Sequence, residues 1–457
     1  MAKDFDDIDA SRAWKPFEPT AARPWSRRLA AHLHRRAGFA ATWAQLDACV
    51  KLGPATAVDR LCNPPATAND FESTSAMLAE RTVAGGDSTR LAAWWLYRML
   101  NTPDPLLEKL TLFWHGHFAT GAAKVEKARM MLDQNELLRR HTRGPFERTV
   151  GAISRDPAML IYLDSASNRR IHPNENFARE LMELFTLGVG NYTEGDVKEV
   201  ARAFTGYEVM GDAFRFDHSQ HDTGTKSFLG RSGDFGGDEA IRIILDQPAA
   251  SQFIARKLIR FFVFDEPAAP DALVEPIAKD LREHGFQIGP VVQRILGSNV
   301  FFSDHAIGQK VRSPVELVVG LLRALGGTTN LVQLAQGTAD LGQSLFQPPN
   351  VKGWDGGRAW INSSTLLGRV NLVGKILAAS ETQFGRAGAD LSAAVNADAT
   401  TPAESVDRLL ELLVAAPIPS AARDSLVDLA HDDGRERNVV LRDVIHAMSA
   451  LPEFELA

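Results

Sequence analysis

Residues 174–188 read Asn-Glu-Asn-Phe-Ala-Arg-Glu-Leu-Met-Glu-Leu-Phe-Thr-Leu-Gly. Phe177, Ala178, Leu181, Met182, Leu184 and Phe185 recur at the three- and four-residue intervals of one helical face. Pro173 suits the first turn, and Gly188 is a natural C-terminal stop. The stretch predicts an amphipathic helix over Asn174–Leu187. Asn176, Glu180 and Glu183 share its polar side, where Arg179 can pair with Glu183.

The same period recurs outward from this segment. Leu106, Leu107, Leu110, Phe113 and Trp114 predict a helix over 106–118, and similar patterns cover 130–141 and 146–162. Thr193 and Asp196 mark the start of another, running through Val197, Val200 and Phe204 to Gly206. Further helices are expected around 240–245, 252–262, 272–284, 288–298, 314–325 and 331–341. Two segments break the pattern. From Tyr207 to Gly237 the chain is rich in Gly, Asp, His and aromatics, and Phe214 and Phe216 alternate with polar residues. That predicts a small β-hairpin or irregular excursion. Residues 346–364 form a second glycine-rich, aromatic stretch, a loop of the kind that carries function in a helical body.

The expected fold class is therefore mainly α: one large multi-helix body with a small β-hairpin excursion near 207–237. Residues 1–27 read as an N-terminal extension and 28–380 as the main helical domain. Residues 381–457 read as a linker, over Thr382–Pro402, plus a helical C-terminal portion docked on the main body. Val406, Leu409, Leu410 and Leu413 give that portion its apolar stripe.

Composition narrows the function classes. The 457 residues are 45% hydrophobic and 23% charged, which rules out wholesale disorder. A chain this long buries enough surface to fold without a metal or disulfide, so any metal must be argued from chemistry. A net charge of −7 disfavours a dedicated nucleic-acid binder. Cys49 and Cys62 are too few for a disulfide framework or a cysteine-rich zinc site. No apolar run reaches the ~18 residues of a membrane span. Ser26-Arg27-Arg28-Leu29-Ala30 has the look of a twin-arginine signal, but His32, His34, Arg35 and Arg36 interrupt the apolar stretch that such a signal requires next. The chain as encoded is assigned to the cytoplasm. The alternative is the periplasm or cell surface, reached through an upstream start or a partner.

Four segments carry candidate chemistry. In Phe113-Trp114-His115-Gly116-His117-Phe118, two histidines diverge by about 200° on a helix, whereas an irregular end lets them converge on a metal. His172, Asn174, Glu175, Asn176 and Glu180 gather at the start of the 174–187 helix, with Asp164 close by in sequence. A solvated polar face with an exposed ion pair is the plainer reading there. Asp217-His218-Ser219-Gln220-His221-Asp222 places two acids and two histidines within six residues, as a metal or an acid/base pair requires, or as a polar loop simply has. In the stretch from Gln347 to Ser363, Trp354 and Trp360 are either sugar platforms or packing plugs. The chain lacks HExxH, GxSxG and phosphate-cradling glycine motifs.

These residues resemble a known family. The runs Trp114-His115-Gly116-His117-Phe118, Gln134-Asn135-Glu136-Leu137-Leu138-Arg139 and His172-Pro173-Asn174-Glu175-Asn176-Phe177-Ala178-Arg179-Glu180-Leu181-Met182-Glu183 are similar to the bacterial "domain of unknown function 1800" family. So are His32-Leu33-His34-Arg35-Arg36-Ala37-Gly38-Phe39, Ala203-Phe204-Thr205-Gly206, His221-Asp222 with Lys226, Ser313-Pro314-Val315-Glu316-Leu317, and Pro348-Pro349-Asn350-Val351 with Gly353-Trp354. The resemblance covers nearly the whole chain. It implies no activity, but it does imply a sulfatase-like partner protein, because members are often encoded beside one.

The first expectation for function is a hydrolase acting on a polymer, most plausibly a polysaccharide. Glu175, Glu180, Asp164, His172, His221 and Asp222 are its catalytic candidates, because glycoside cleavage needs two carboxylates in different protonation states. His115, His117, Asn174, Asn176, Trp354, Trp360 and Asn362 are the candidate substrate contacts. A metal-dependent phosphate- or sulfate-ester hydrolase is the alternative, with a divalent metal as cofactor and His115, His117, His172, His221, Asp164 and Asp222 as its ligands. The third reading is a non-enzymatic scaffold for the sulfatase-like partner.

Overall fold

The helices predicted from apolar periodicity are present in the computed structural model, which describes residues 8–65, 70–385, 391–395, 401–431 and 434–457. They include Pro105–His117, Ala128–His141, Glu194–Ala203, Pro248–Phe262, Asp271–Glu283 and Pro314–Ala324. The fold is mainly α, and the described residues add two small two-stranded antiparallel sheets.

Two predicted helices differ in detail, each for a local reason. The segment 146–162 divides into Phe146–Ile153 and Pro157–Tyr162. Pro157 cannot continue a helix, and the Asp156 carboxylate caps the new start by accepting from the Met159 N–H at 2.9 Å. The decisive 174–187 helix is α-helical over Asn176–Glu180 and then widens to a π-helix over Leu181–Thr186. Beyond it, the Leu187 and Gly188 N–H groups both reach back to Met182 O.

The excursion near 207–237 is two hairpins rather than one. Tyr207–Met210 pairs with Ala213–Phe216, with Tyr207 opposite Phe216, and Lys226–Phe228 pairs with Arg231–Gly233. Gly206 has φ +85, and a Cβ there would lie 2.6 Å from Asp217 O, so only glycine allows the hairpin base to close.

A buried polar knot ties the central helices together. Glu108 accepts from Trp95 Nε1 at 2.8 Å, Arg98 Nε at 2.9 Å and Arg139 Nε at 2.8 Å. Burial works to raise its pKa, but the two guanidiniums prevail and hold it below the usual carboxylate range. Trp114 stacks on Phe146 at 5.2 Å nearby, within the apolar core.

The segment from His32 to Gly38 is a clamp. His32 Nε2 bonds Phe301 O at 2.9 Å, and Arg36 donates to Ala306 O and Ala457 O at 2.6 and 2.7 Å. Arg35 donates to the carbonyls of Glu411, Leu412 and Val414, and Arg369 pairs with Glu455 at 2.6 Å. These bonds dock the C-terminal helices on the main body. Of the linker expected over 382–402, residues 386–390 and 396–400 lie outside the described residues, as do residues 1–7 of the expected N-terminal extension. No helix among the described residues is long and apolar enough to cross a membrane.

Candidate functional site

The helix Pro105–His117 starts at an Asp104 cap and carries both histidines of the first motif in its last turn. They leave it in different directions. His115 is buried, and its Nε2 accepts from the Phe346 N–H at 3.1 Å. Trp95 meets the ring edge-on at 4.9 Å, and Phe346 packs 5.2 Å away. Burial pushes its pKa down to about 3, so it is a neutral acceptor that anchors the 346–364 loop. The same loop approaches the helix at Gly353, whose φ is +82. A Cβ on Gly353 would stand 2.3 Å from Gly116 O. The absence of a Cβ on Gly353 thus lets its backbone meet the Gly116 carbonyl and seats Trp354 beside the helix end.

His117 faces the end of the π-helix. Its Nε2–H donates to Phe185 O at 3.0 Å, and its Nδ1 accepts from Lys257 Nζ at 3.1 Å. Lys257 also donates to Leu184 O at 3.3 Å. The final carbonyls of a helix have no partner within it, and here the imidazole and the ammonium supply one. The negative end of the helix dipole also favours the cation. Burial first, then the neighbouring Arg260 and Lys352, lower the Lys257 pKa to about 8. Burial holds His117 well below its ordinary value, and Lys257 adds to that effect. His117 is therefore neutral, with its tautomer fixed.

This pair lies on a cleft of about 240 Å³ whose walls include Phe113, Phe261, Trp354 and Trp360. Its charged lining is Lys257, Arg260, Lys310, Lys352, Asp265, Glu316 and Asp355. Glu316 is the third helical residue after the Ser313 cap and closes a capping box with it. It is also ion-paired with buried Lys109 and, at 3.2 Å, with Lys310. Burial opposes its ionisation, but the two lysines outweigh that and hold it as an anion well below the usual range. Asp265 makes no such ion pair among the described residues; its Oδ2 accepts from the Val311 N–H at 2.9 Å. The indole N–H of Trp354 is buried and meets no acceptor.

The structure separates the sequence-predicted residues into several places. His117, Trp354 and Trp360 line the cleft, and His115 lies behind it. Asn174 and Asn176 staple their own loop, donating to Asp164 O at 3.1 Å and Leu163 O at 3.0 Å. Asp164 pairs with Lys124 at 2.8 Å on the surface, and Glu175 pairs with Arg179, which also holds Glu194. His172 is exposed on a turn. Glu180 is half-buried, and burial followed by Glu183 raises its pKa. His221 bonds Thr205 O at 2.8 Å, while Asp222 grips Arg202 through a two-bond fork that lowers its pKa. Asn362 caps the helix Ser363–Ala378 through the Thr365 N–H.

Sequence reading missed Lys257, Arg260, Asp265 and Lys310 as site residues. Lys257 sits among Ile254, Ala255, Leu258 and Ile259 on a helix that otherwise looks like core, and that company was the one available signal. Among the described residues, no group of three or more His, Cys, Asp or Glu side chains is placed to hold a metal ion.

No curated protein and no solved structure matches the chain. The family model described as "Protein of unknown function (DUF1800)" matches residues 32–456. The motifs that hold the cleft together fall within that match, and the chain belongs to the DUF1800 family.

Proposed function

We propose that the protein is a hydrolase acting on a polysaccharide, with Lys257, His117 and Asp265 carrying the chemistry. The observation behind this reading is the hydrogen-bonded Lys257–His117 pair on a cleft walled by Trp354 and Trp360. An ammonium near pKa 8 is protonated at neutral pH yet acidic enough to serve as a general acid. Standing in for the protonated carboxyl of the usual pair, Lys257 gives its proton to the leaving glycosidic oxygen as the bond from the anomeric carbon breaks. Asp265 takes a proton from the water that forms the new bond to that carbon. Neutral His117 accepts a second Lys257 N–H and fixes the ammonium in place. Afterwards Asp265 returns its proton to solvent and Lys257 regains one. Tryptophan faces suit the apolar face of a sugar ring.

This reading moves the catalytic role away from Glu175, Glu180, Asp164, His172, His221 and Asp222. Those side chains are spent on local ion pairs and turns or lie outside the cleft. The metal-dependent ester hydrolase has less support, because His115 and His117 diverge. A polymer substrate suits the periplasm or cell surface better than the cytoplasm, and cell fractionation decides between them. A sulfatase-like partner remains part of the proposal and is tested by co-purification.

The test of the chemistry is release of new reducing ends from a panel of polysaccharides, using native protein, Lys257→Met and Trp354→Ala. Loss of cleavage in Lys257→Met with the fold intact supports the reading. Equal cleavage by native and Lys257→Met protein overturns it.

A further inference from the structure

The charges of the cleft do not balance locally. Glu316 is fully engaged by Lys109 and Lys310. Among the described residues Lys352 pairs only with exposed Asp355, at 3.0 Å, and such pairs contribute little. Lys257 bonds a neutral imidazole and a carbonyl, and it has no carboxylate partner among the described residues. Arg260 donates to the backbone carbonyl of Asp355 at 2.7 Å and likewise meets no carboxylate among them. Arg260 and Lys352 are close enough to Lys257 to oppose its charge.

Cations largely removed from water normally have an anion beside them, because desolvation is costly. Lys257 is largely removed from water and has no carboxylate beside it among the described residues, and the more exposed Arg260 and Lys352 add two further cations to the same cleft. The unpaired Trp354 indole N–H adds a neutral donor to the same wall. Three cations and one unpaired indole N–H on one cleft describe a site for a multi-oxygen anion, and guanidinium in particular matches carboxylate and sulfate through two parallel bonds. The aromatic walls limit what carries the anion to a ring-bearing group. The volume of about 240 Å³ is small beside the ~300–1,000 Å³ of drug-sized sites, so it holds one ring rather than several.

We propose that the cleft recognises an acidic sugar residue and holds its anionic substituent on Arg260 and Lys352, beside the Lys257 ammonium. This rests on the polysaccharide reading above and adds the substrate class. The anion is a carboxylate or a sulfate ester. Its charge also keeps the Lys257 ammonium protonated in the complex, which suits a general acid. Neutral glycans leave Lys257 and Arg260 without an anion and bind poorly.

The experiment is calorimetric binding with pairs of oligosaccharides that differ mainly in charge. Oligogalacturonate is compared with its methyl-esterified form, and sulfated carrageenan oligosaccharides with neutral agarose oligosaccharides. Each is titrated into native protein, Arg260→Gln/Lys352→Gln and Arg260→Lys, at low and high salt. The expected result is at least a tenfold preference for the acidic member of one pair. That preference weakens with salt, disappears in the double variant and is partly kept in Arg260→Lys. Preference for oligogalacturonate identifies the carboxylate, and preference for carrageenan the sulfate. Equal binding of acidic and neutral members overturns the acidic-sugar proposal while leaving the polysaccharide reading standing. No binding of any oligosaccharide overturns both.

Discussion

Lys257 Nζ lies 3.1 Å from Nδ1 of His117, and neither residue has a carboxylate partner among the described residues. An ammonium held against a neutral base has a thermodynamic consequence. Burial lowers its pKa from 10.5 to about 8, so below pH 8 the folded protein bears the cost of a charge that water would solvate better. Between pH 8 and 10.5 the folded state releases the proton while the unfolded state keeps it, and stability rises with pH. Lys257→Met should therefore be more stable than native protein at pH 7, with the difference closing towards pH 10.5. Urea unfolding at pH 7, 9 and 10.5 checks this. A destabilised variant at pH 7 would show that the ammonium is well paired.

Gly116 and Gly353 should respond in opposite directions. A Cβ on Gly353 meets Gly116 O at 2.3 Å and is strained at φ +82, so Gly353→Ala should unseat the loop that carries Trp354. Gly116 is helical and has open space where a Cβ would go. Gly116→Ala should gain up to ~1 kcal/mol while placing a methyl group in the cleft. Thermal unfolding with oligosaccharide binding reads both changes: Gly353→Ala loses stability and binding, whereas Gly116→Ala loses binding alone.

Glu316 is the anion between Lys109 and Lys310, and Glu316→Gln leaves two cations without it. Breaking a buried pair from one side costs about 3–5 kcal/mol, and chemical denaturation should show a loss of that order at pH 7. The folded pKa is depressed, so this stability is present above the unfolded carboxylate range and is lost as pH falls below it. The gap between native and variant should narrow in acid.

The helices were legible because their apolar residues recur at the helical period, and 105–117 and 248–262 show this plainly. The π-widening at Leu181–Thr186 was not legible, since its sequence keeps the ordinary α stripe and the extra residue is accommodated by tertiary bonds. The two tryptophans and His117 were recognisable as site candidates because they fall in short distinctive segments, the glycine-rich 346–364 stretch and His115-Gly116-His117. Lys257 was hidden, because its neighbours in sequence are core residues and its partners come from segments 140 and 73 positions away. The acidic loop residues were misleading for a converse reason. Asp222 is held by Arg202, 20 positions away, which a linear reading does not bring into contact, whereas Glu175 meets Arg179 one helical turn on, the exposed ion pair of the plainer reading.

Asp156, which is not part of the cleft lining, supplies a further pH signature. Burial raises its pKa from 3.8 to about 7, against the bonds it accepts from Met159 and Gln134. The folded state thus holds a proton that the unfolded state releases between pH 4 and 7, and stability from this group falls as pH rises through that window. Asp156→Asn keeps the acceptor oxygen and should flatten this part of the stability profile. Unfolding free energies at pH 5 and 8 test it, and an unchanged slope would contradict the assignment.

Catalysis is proposed to belong to the cleft and not to the acidic face of the 174–187 segment. The most direct measurement is the cleavage rate of one accepted polysaccharide by native, Lys257→Met and Glu180→Gln proteins, each verified as folded. Expected are a loss of about 10²-fold or more in Lys257→Met and a near-native rate in Glu180→Gln. A near-native rate in Lys257→Met together with a collapsed rate in Glu180→Gln would contradict it.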